Sequence, residues 1–213
     1  KSYNPVLPPL SSPVIAVAAG NEHTALLTAD GRVYTAGYND NGQCGHGHQH
    51  RVSELTLVSG LPKNRKAVQV HAYNGCEHTM VVTDDGRLYS FGYNCKGQLG
   101  HGTTASEFIP HPVRGLEGKR VRVVSCSYYH SIVACESDET YSFGRNDFGQ
   151  LGHNDTAEKK FPHPITQLKG QRVLSLACGQ YHSCVVTSEG RLLACGKNDY
   201  GQVGVEGSET FKR

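Results

Sequence analysis

The segment Cys44-Gly45-His46-Gly47-His48-Gln49-His50 is where this sequence comes nearest to a metal-binding pattern. Alternate residues of an extended strand share a face, so His46, His48 and His50 could chelate an ion if the segment runs straight. His46 recurs as His101 and His153, however, and neither has a histidine two residues on. The eight cysteines invite a zinc or disulfide reading, but no C-x-x-C pair occurs, which removes the commonest zinc ligand spacing. A second histidine set, His23, His78, His130 and His182, recurs at spacings of 55, 52 and 52 residues. One per repeat keeps these apart, so a buried hydrogen-bonding role is expected for each. The phrase Gly-x-Asn-x-x-Gly-Gln-x-Gly, as in Gly144–Gly152, resembles a phosphate cradle only in its glycines. It lacks the lysine and following helix that a P-loop needs. Asparagine and glycine there are expected to make the turn, and glutamine to hydrogen-bond across to a neighbouring unit. No G-x-S-x-G, H-E-x-x-H or Cys/His nucleophile pattern is present, and Asp30, Asp85 and Glu189 read as hairpin tips. No catalytic residue, metal or cofactor is therefore expected, and the chain is read as non-enzymatic.

The elements that carry these residues repeat in one phase. Gly37, Gly92, Gly144 and Gly196 keep the histidine spacing, and so do Gln43, Gln98, Gln150 and Gln202. In the last unit, Arg172–Cys178, Ser183–Ser188 and Arg191–Gly196 are short apolar runs separated by turns, with Glu189-Gly190 supplying a tight hairpin. Asp30-Gly31 and Asp85-Gly86 do the same earlier, whereas Ser137-Asp138 takes that place in the third unit. Ile109–Val113 and Phe161–Ile165 are proline-bearing fourth strands, which belongs to an edge. Four short antiparallel strands at a period near 50 residues indicate a β-propeller, an all-β fold. One repeat domain is expected over 1–213, with repeats at about 14–58, 68–113, 121–165 and 173–213. Residues 1–13, through Asn4-Pro5-Val6, are expected to supply a fourth strand to a preceding or closing blade.

The residues Gly179, His182, Ser183, Val186, Gly190, Leu193, Gly196, Asn198, Gly201, Gln202 and Gly204 resemble the repeat of the regulator of chromosome condensation family nearly throughout. That resemblance implies four-stranded blades in a ring normally of seven. Four periods then imply a partial, open arc, with a closed four-bladed ring as the alternative. Relatives serve as docking modules of large ubiquitin ligases, exchange guanine nucleotide on a small GTPase, or associate with chromatin. A light-sensing role through clustered tryptophans is excluded, because the chain has none.

Bulk properties narrow this further. A net charge of +2 argues against nucleic acid as the main partner, and no apolar run approaches the roughly 20 residues of a membrane-spanning helix. The cysteines stand where the other repeats have small or apolar residues: Cys44 matches Leu99, Leu151 and Val203, and Cys195 matches Phe91 and Phe143. Reduced, packed thiols in a cytoplasmic or nuclear protein are expected. Two loop faces are candidates for a protein partner. One carries Lys63, Arg65, Lys66, Lys119, Arg120, Lys169 and Arg172, an arc suited to an acidic peptide or surface unless these are solvated charges balanced by Asp85 and Glu189. The first of these loops, Pro62–Lys66, is expected to hold the three extra residues of the 55-residue period. The opposite face carries Tyr129, Phe148, Tyr181 and Tyr200, which either anchor a partner or pack under their own loops.

Overall fold

A computed structural model describes residues 10, 12–73 and 75–204. The expected strand at Asn4-Pro5-Val6 and the segment after residue 204 lie outside the described residues.

The described chain is fifteen β-strands in four antiparallel sheets, with one 3-10 turn at Thr166–Leu168. Blade 1 is β1 (Val14–Ala19), β2 (His23–Thr28), β3 (Val33–Gly37) and β4 (Val52–Leu57). Blade 2 is β5 (Ala67–His71), β6 (His78–Thr83), β7 (Leu88–Gly92) and β8 (Glu107–Pro112). Blade 3 is β9 (Val121–Cys126), β10 (His130–Cys135), β11 (Thr140–Gly144) and β12 (Lys159–Pro164). Blade 4 is β13 (Val173–Cys178), β14 (His182–Thr187) and β15 (Leu192–Gly196). In every blade the strands lie in chain order, so the proline-bearing β8 and β12 are edge strands, as their missing donors require.

The core lies between blades. Leu27, Val33, Val70, Val81 and Phe91 pack blade 1 on blade 2. Met80, Leu88, Val124, Val133 and Phe143 pack blade 2 on blade 3. Ile132, Leu168, Val173, Val185 and Leu193 pack blade 3 on blade 4. The middle strands β6, β7, β10 and β11 are buried along their whole length, their polar residues included.

The glycine-rich phrase makes these joints. A Cβ on Gly45 would stand 2.8 Å from the ring of Phe91, and one on Gly100 would stand 3.0 Å from the ring of Phe143. The phrases of blades 1 and 2 thus seat the large aromatic residue of the next blade, and Cys195 fills that place in blade 4. Gly144 shows how strict the backbone is: its φ is +108°, and a Cβ would lie 2.3 Å from the Tyr129 carbonyl oxygen. Gly144→Ala is expected to cost more than about 2 kcal/mol, whereas Gly118→Ala, at φ +74° with open space around it, costs about 1 kcal/mol. Thermal denaturation of the two variants side by side checks this. Asp138, which replaces the hairpin glycine in blade 3, does take a left-handed φ of +57°.

The 55-residue period is resolved differently from the sequence expectation. Ala18 pairs with Ala25, and its counterpart in blade 2 is His71, paired with Met80. From Ala18 to His23 is five residues, and from His71 to His78 is seven. Two of the three extra residues therefore lie in the turn before His78, not in Pro62–Lys66. Turn length is invisible to an anchor-to-anchor count, which sees only the sum.

Candidate partner-binding face

The repeated histidines are joints. His23 Nε2 lies 2.9 Å from Thr79 Oγ1, His78 Nε2 lies 3.2 Å from Ser131 Oγ, and His130 Nε2 lies 2.8 Å from Ser183 Oγ. Those hydroxyls donate in turn to the carbonyls of Gln43, Gln98 and Gln150, at 2.8, 2.9 and 2.8 Å. Because each hydroxyl spends its proton on a carbonyl, it must accept from the imidazole, which places the ring proton on Nε2. Burial holds His23 down to a pKa of about 4 and His130 to about 3, so these rings are neutral at pH 7. The histidine expectation is met at His23, His78 and His130 but not at His182, which is half-buried, and the glutamine expectation needs correcting. It is the glutamine backbone carbonyl that reaches across to the next blade. The side chain stays at home: Gln43, Gln98 and Gln150 Oε1 accept from the backbone N–H of Asn41, Lys96 and Phe148. The asparagines staple the same loop. Asn94 Oδ1 accepts from the Leu99 N–H, and its amide donates to the carbonyls of Thr103 and Ala105.

His46, His48 and His50 do not form a straight chelating face. His46 Nε2 is 2.9 Å from Thr35 Oγ1, the bond that His101 and His153 make with Ser90 and Ser142. The segment bends, and the backbone N–H of His50 donates to His48 Nδ1.

The basic arc sits where the topology requires, at the hairpin tips and blade-to-blade loops. Ala67 N–H donates to the Gly31 carbonyl and Val121 N–H to the Gly86 carbonyl, tying each loop to the preceding tip. The same turns supply carboxylates. Arg65 pairs with Asp85 at 3.4 Å, Arg120 with Glu136 at 3.1 Å, Arg172 with Asp138 at 3.2 Å, and Lys119 with Glu139. Glu189, the other expected partner, pairs with Arg191 instead. Lys63, Lys66 and Lys169 are exposed, with no carboxylate partner among the described residues. Exposed pairs of this kind contribute little stability, yet they cancel most of the field the arc would project.

The opposite face gathers three of its four expected aromatics around two cations. Arg145 lies 5.5 Å from the Tyr129 ring centroid and 5.2 Å from that of Tyr181. Lys197 lies 5.2 Å from the Phe148 centroid and 5.6 Å from that of Tyr181. Phe148 and Tyr181 meet edge to face at 5.3 Å. Sequence reasoning missed Tyr93 and Tyr128, which extend this cluster toward blade 2 at 6.1 and 4.3 Å from Tyr129. It also missed Arg145 and Lys197, although both follow the repeated glycine of β11 and β15, where Tyr38 and Tyr93 stand in blades 1 and 2. Tyr200 stands apart, 91% exposed, at the tip of its loop. Asp147 and Asp199 brace the cations at 2.6 and 3.1 Å. Beside them, a cleft of about 260 Å³ opens between blades 3 and 4, lined by Asp147, Phe148, Asn154, Lys197 and Asn198. The rings and both cations are alike half-buried, and each cation already has a carboxylate partner, so the face suits a partner that brings apolar and hydrogen-bonding groups to the rings.

All eight cysteines are free thiols, six of them buried. Cys76, His78 and Cys126 bring three donor atoms within 4.8 Å of one another, the one such group among the described residues. A search for C-x-x-C cannot find it, because the two cysteines come from adjacent blades.

Sheets of one strand order, stacked in chain order with one repeated latch at each joint, define a β-propeller type of repeat protein. The chain belongs to the RCC1-like domain family, whose model matches residues 2–212. It is 33% identical over 190 residues to the ultraviolet-B receptor UVR8 of Arabidopsis thaliana, covering 89% of this chain and 42% of that protein. It is 31% identical over 197 residues to the E3 ubiquitin-protein ligase HERC2 of Homo sapiens, covering 92% of this chain and 4% of that protein. The structure of Prp20p from Saccharomyces cerevisiae, described with its binding properties to Gsp1p and histones, superimposes with a TM-score of 0.79. That match is at 21% identity over 93% of this chain and 49% of the other, and it shows the fold. The chain spans less than half the length of each of these proteins. Among the described residues, no helix is long and apolar enough to cross a membrane.

Proposed function

We propose that the chain is a non-catalytic interaction segment of a larger RCC1-like ring, and that it docks a protein partner through the turn face of blades 3 and 4. The observation that carries this reading is the Arg145–Lys197 pair held among Tyr129, Phe148 and Tyr181. The basic arc is the weaker candidate, because the cation–ring contacts found among the described residues all lie on the opposite face. Capture of partners from a cell extract by the wild-type chain is expected to be lost in Tyr181→Ala and in Arg145→Ala. It is expected to survive Lys119→Glu combined with Arg120→Glu. Loss in the Lys119→Glu, Arg120→Glu variant alone, with the chain still folded, would shift the site to the basic face.

The larger ring is supported by comparing one position across blades. Val17 is 69% exposed in blade 1, whereas its counterparts Val70 and Val124 are 7% and 4% exposed. At the other end Leu192 is 64% exposed, whereas its counterparts Val33 and Leu88 are 1% and 3%. Interior blades cover these positions, so the two outer faces are read as seats for further blades. An attached ubiquitin-ligase or GTPase-regulating role is a property of such a whole protein. Unchanged nucleotide release from a panel of small GTPases on adding the chain is the expected result. Acceleration would replace docking by exchange.

A further inference from the structure

The three blade joints are built alike, and the middle one carries chemistry the others lack. At the joint of blades 3 and 4, Ser127 Oγ meets His130 Nδ1 at 2.8 Å. At the joint of blades 1 and 2, Gly20 stands in that place and His23 Nδ1 has no partner. At the joint of blades 2 and 3, the two-residue insertion before His78 delivers a thiol instead. Cys76 Sγ lies 3.3 Å from His78 Nδ1, and Cys126, at the end of β9, brings a second sulfur. His78 and Cys76 are fully buried, and Cys126 is 2% exposed.

We propose that Cys76 Sγ, His78 Nδ1 and Cys126 Sγ bind a single zinc(II) ion that ties blade 2 to blade 3. Two thiols and an imidazole are a soft, nitrogen-and-sulfur donor set of the kind zinc takes. Zinc–sulfur and zinc–nitrogen bonds of about 2.3 and 2.0 Å place sulfur and nitrogen about 3.5 Å apart on a tetrahedron. The 3.3 Å found between Cys76 and His78 needs only a small outward movement. The tautomer is already set. Ser131 Oγ donates to the Gln98 carbonyl, so it accepts the Nε2 proton of His78, and the Nδ1 lone pair is left facing the sulfurs. An outer hydrogen bond that fixes ring and tautomer is the usual support of a zinc-bound histidine. Binding displaces one proton from each thiol, so the affinity rises with pH. Three protein donors leave one position for water, and a cavity of about 420 Å³ reaches the site at Cys126. Blades 1 and 4 put Gly20 and Gly179 where a sulfur would be needed, and blade 3 puts Ser127, so the site exists once among the described residues.

The test uses the freshly reduced full chain. Titration with zinc against a chromophoric chelator is expected to show one tight equivalent. Cobalt(II) in its place is expected to give a sulfur-to-metal charge-transfer band with intense tetrahedral d–d absorption, which imidazoles such as His48 and His50 alone do not produce. Cys126→Ser should weaken binding at least about 100-fold, beyond the loss typical of an outer-shell partner. Cys95→Ser, a change at a free thiol outside that cavity, should leave it unchanged. X-ray absorption of the zinc-loaded wild-type chain needs no variant and is expected to count two sulfurs and one imidazole. The proposal is overturned by no uptake in the reduced chain, including the case where air exposure forms a Cys76–Cys126 disulfide instead. A zinc shell without sulfur, or equal affinity in Cys126→Ser, overturns it as well.

Discussion

His130→Ala is expected to lower the stability of the chain by about 3–5 kcal/mol, a large part of the 5–15 kcal/mol that a domain typically has. The ring is fully buried and bonded at both nitrogens, by Ser127 at one and Ser183 at the other. Removing it leaves a cavity between blades 3 and 4 and strands the Ser127 hydroxyl in a dry place. Ser183 keeps its carbonyl acceptor on Gln150 but loses its donor. His182→Ala removes the same residue type from the same repeat position, yet is expected to cost under about 1 kcal/mol. His182 is only half-buried, and among the described residues no hydroxyl of a following blade meets it. Chemical denaturation of the two variants measures the difference. Equal costs would mean that the histidine serves its own blade rather than the joint.

The second large effect is acid unfolding driven by buried histidines. Burial holds His130 near pKa 3 and His101 near 4, against about 6.5 in the unfolded chain. Folding therefore keeps both rings neutral while the unfolded chain takes up protons. The stability they contribute is fully present above pH 6.5 and is lost as the pH falls toward their folded pKa values. Two such groups give a slope of at most about 3 kcal/mol per pH unit, and about 5–6 kcal/mol between pH 6.5 and 4. Cooperative loss of the sheet signal is expected between pH 5 and 4, with an uptake of about two protons or more on unfolding. A chain still folded at pH 3.5 would contradict this expectation.

The blades and joints were legible in the sequence because each repeat reuses the same side chain for the same bond. Histidine, glycine and glutamine recur in phase since each is needed once per joint, and Cys44 and Cys195 fit because thiols pack as small apolar groups. Legibility failed where blades differ. The insertion before His78 was misplaced into Pro62–Lys66 because only its sum with the loop shows in the spacing. The Cys76–Cys126 meeting was hidden because it joins residues of different repeat phase on different blades. The pairing of Arg120 and Arg172 with Glu136 and Asp138 was hidden for a related reason. Those carboxylates lie on the hairpin tip that the third unit spells without glycine, outside the pattern that marks the other tips. Arg145 and Lys197 were missed because the position they fill is tyrosine in the first two blades.

The central claim is that the residues here that look most reactive are the fasteners between stacked sheets, which leaves recognition to the loop faces. A double-mutant cycle on His130 and Ser183, which lie 53 residues apart in sequence, tests it most directly. Stabilities of His130→Ala, Ser183→Ala and the double variant should give a coupling of about 1–3 kcal/mol across the joint. Additive losses, with a coupling near zero, would contradict the account.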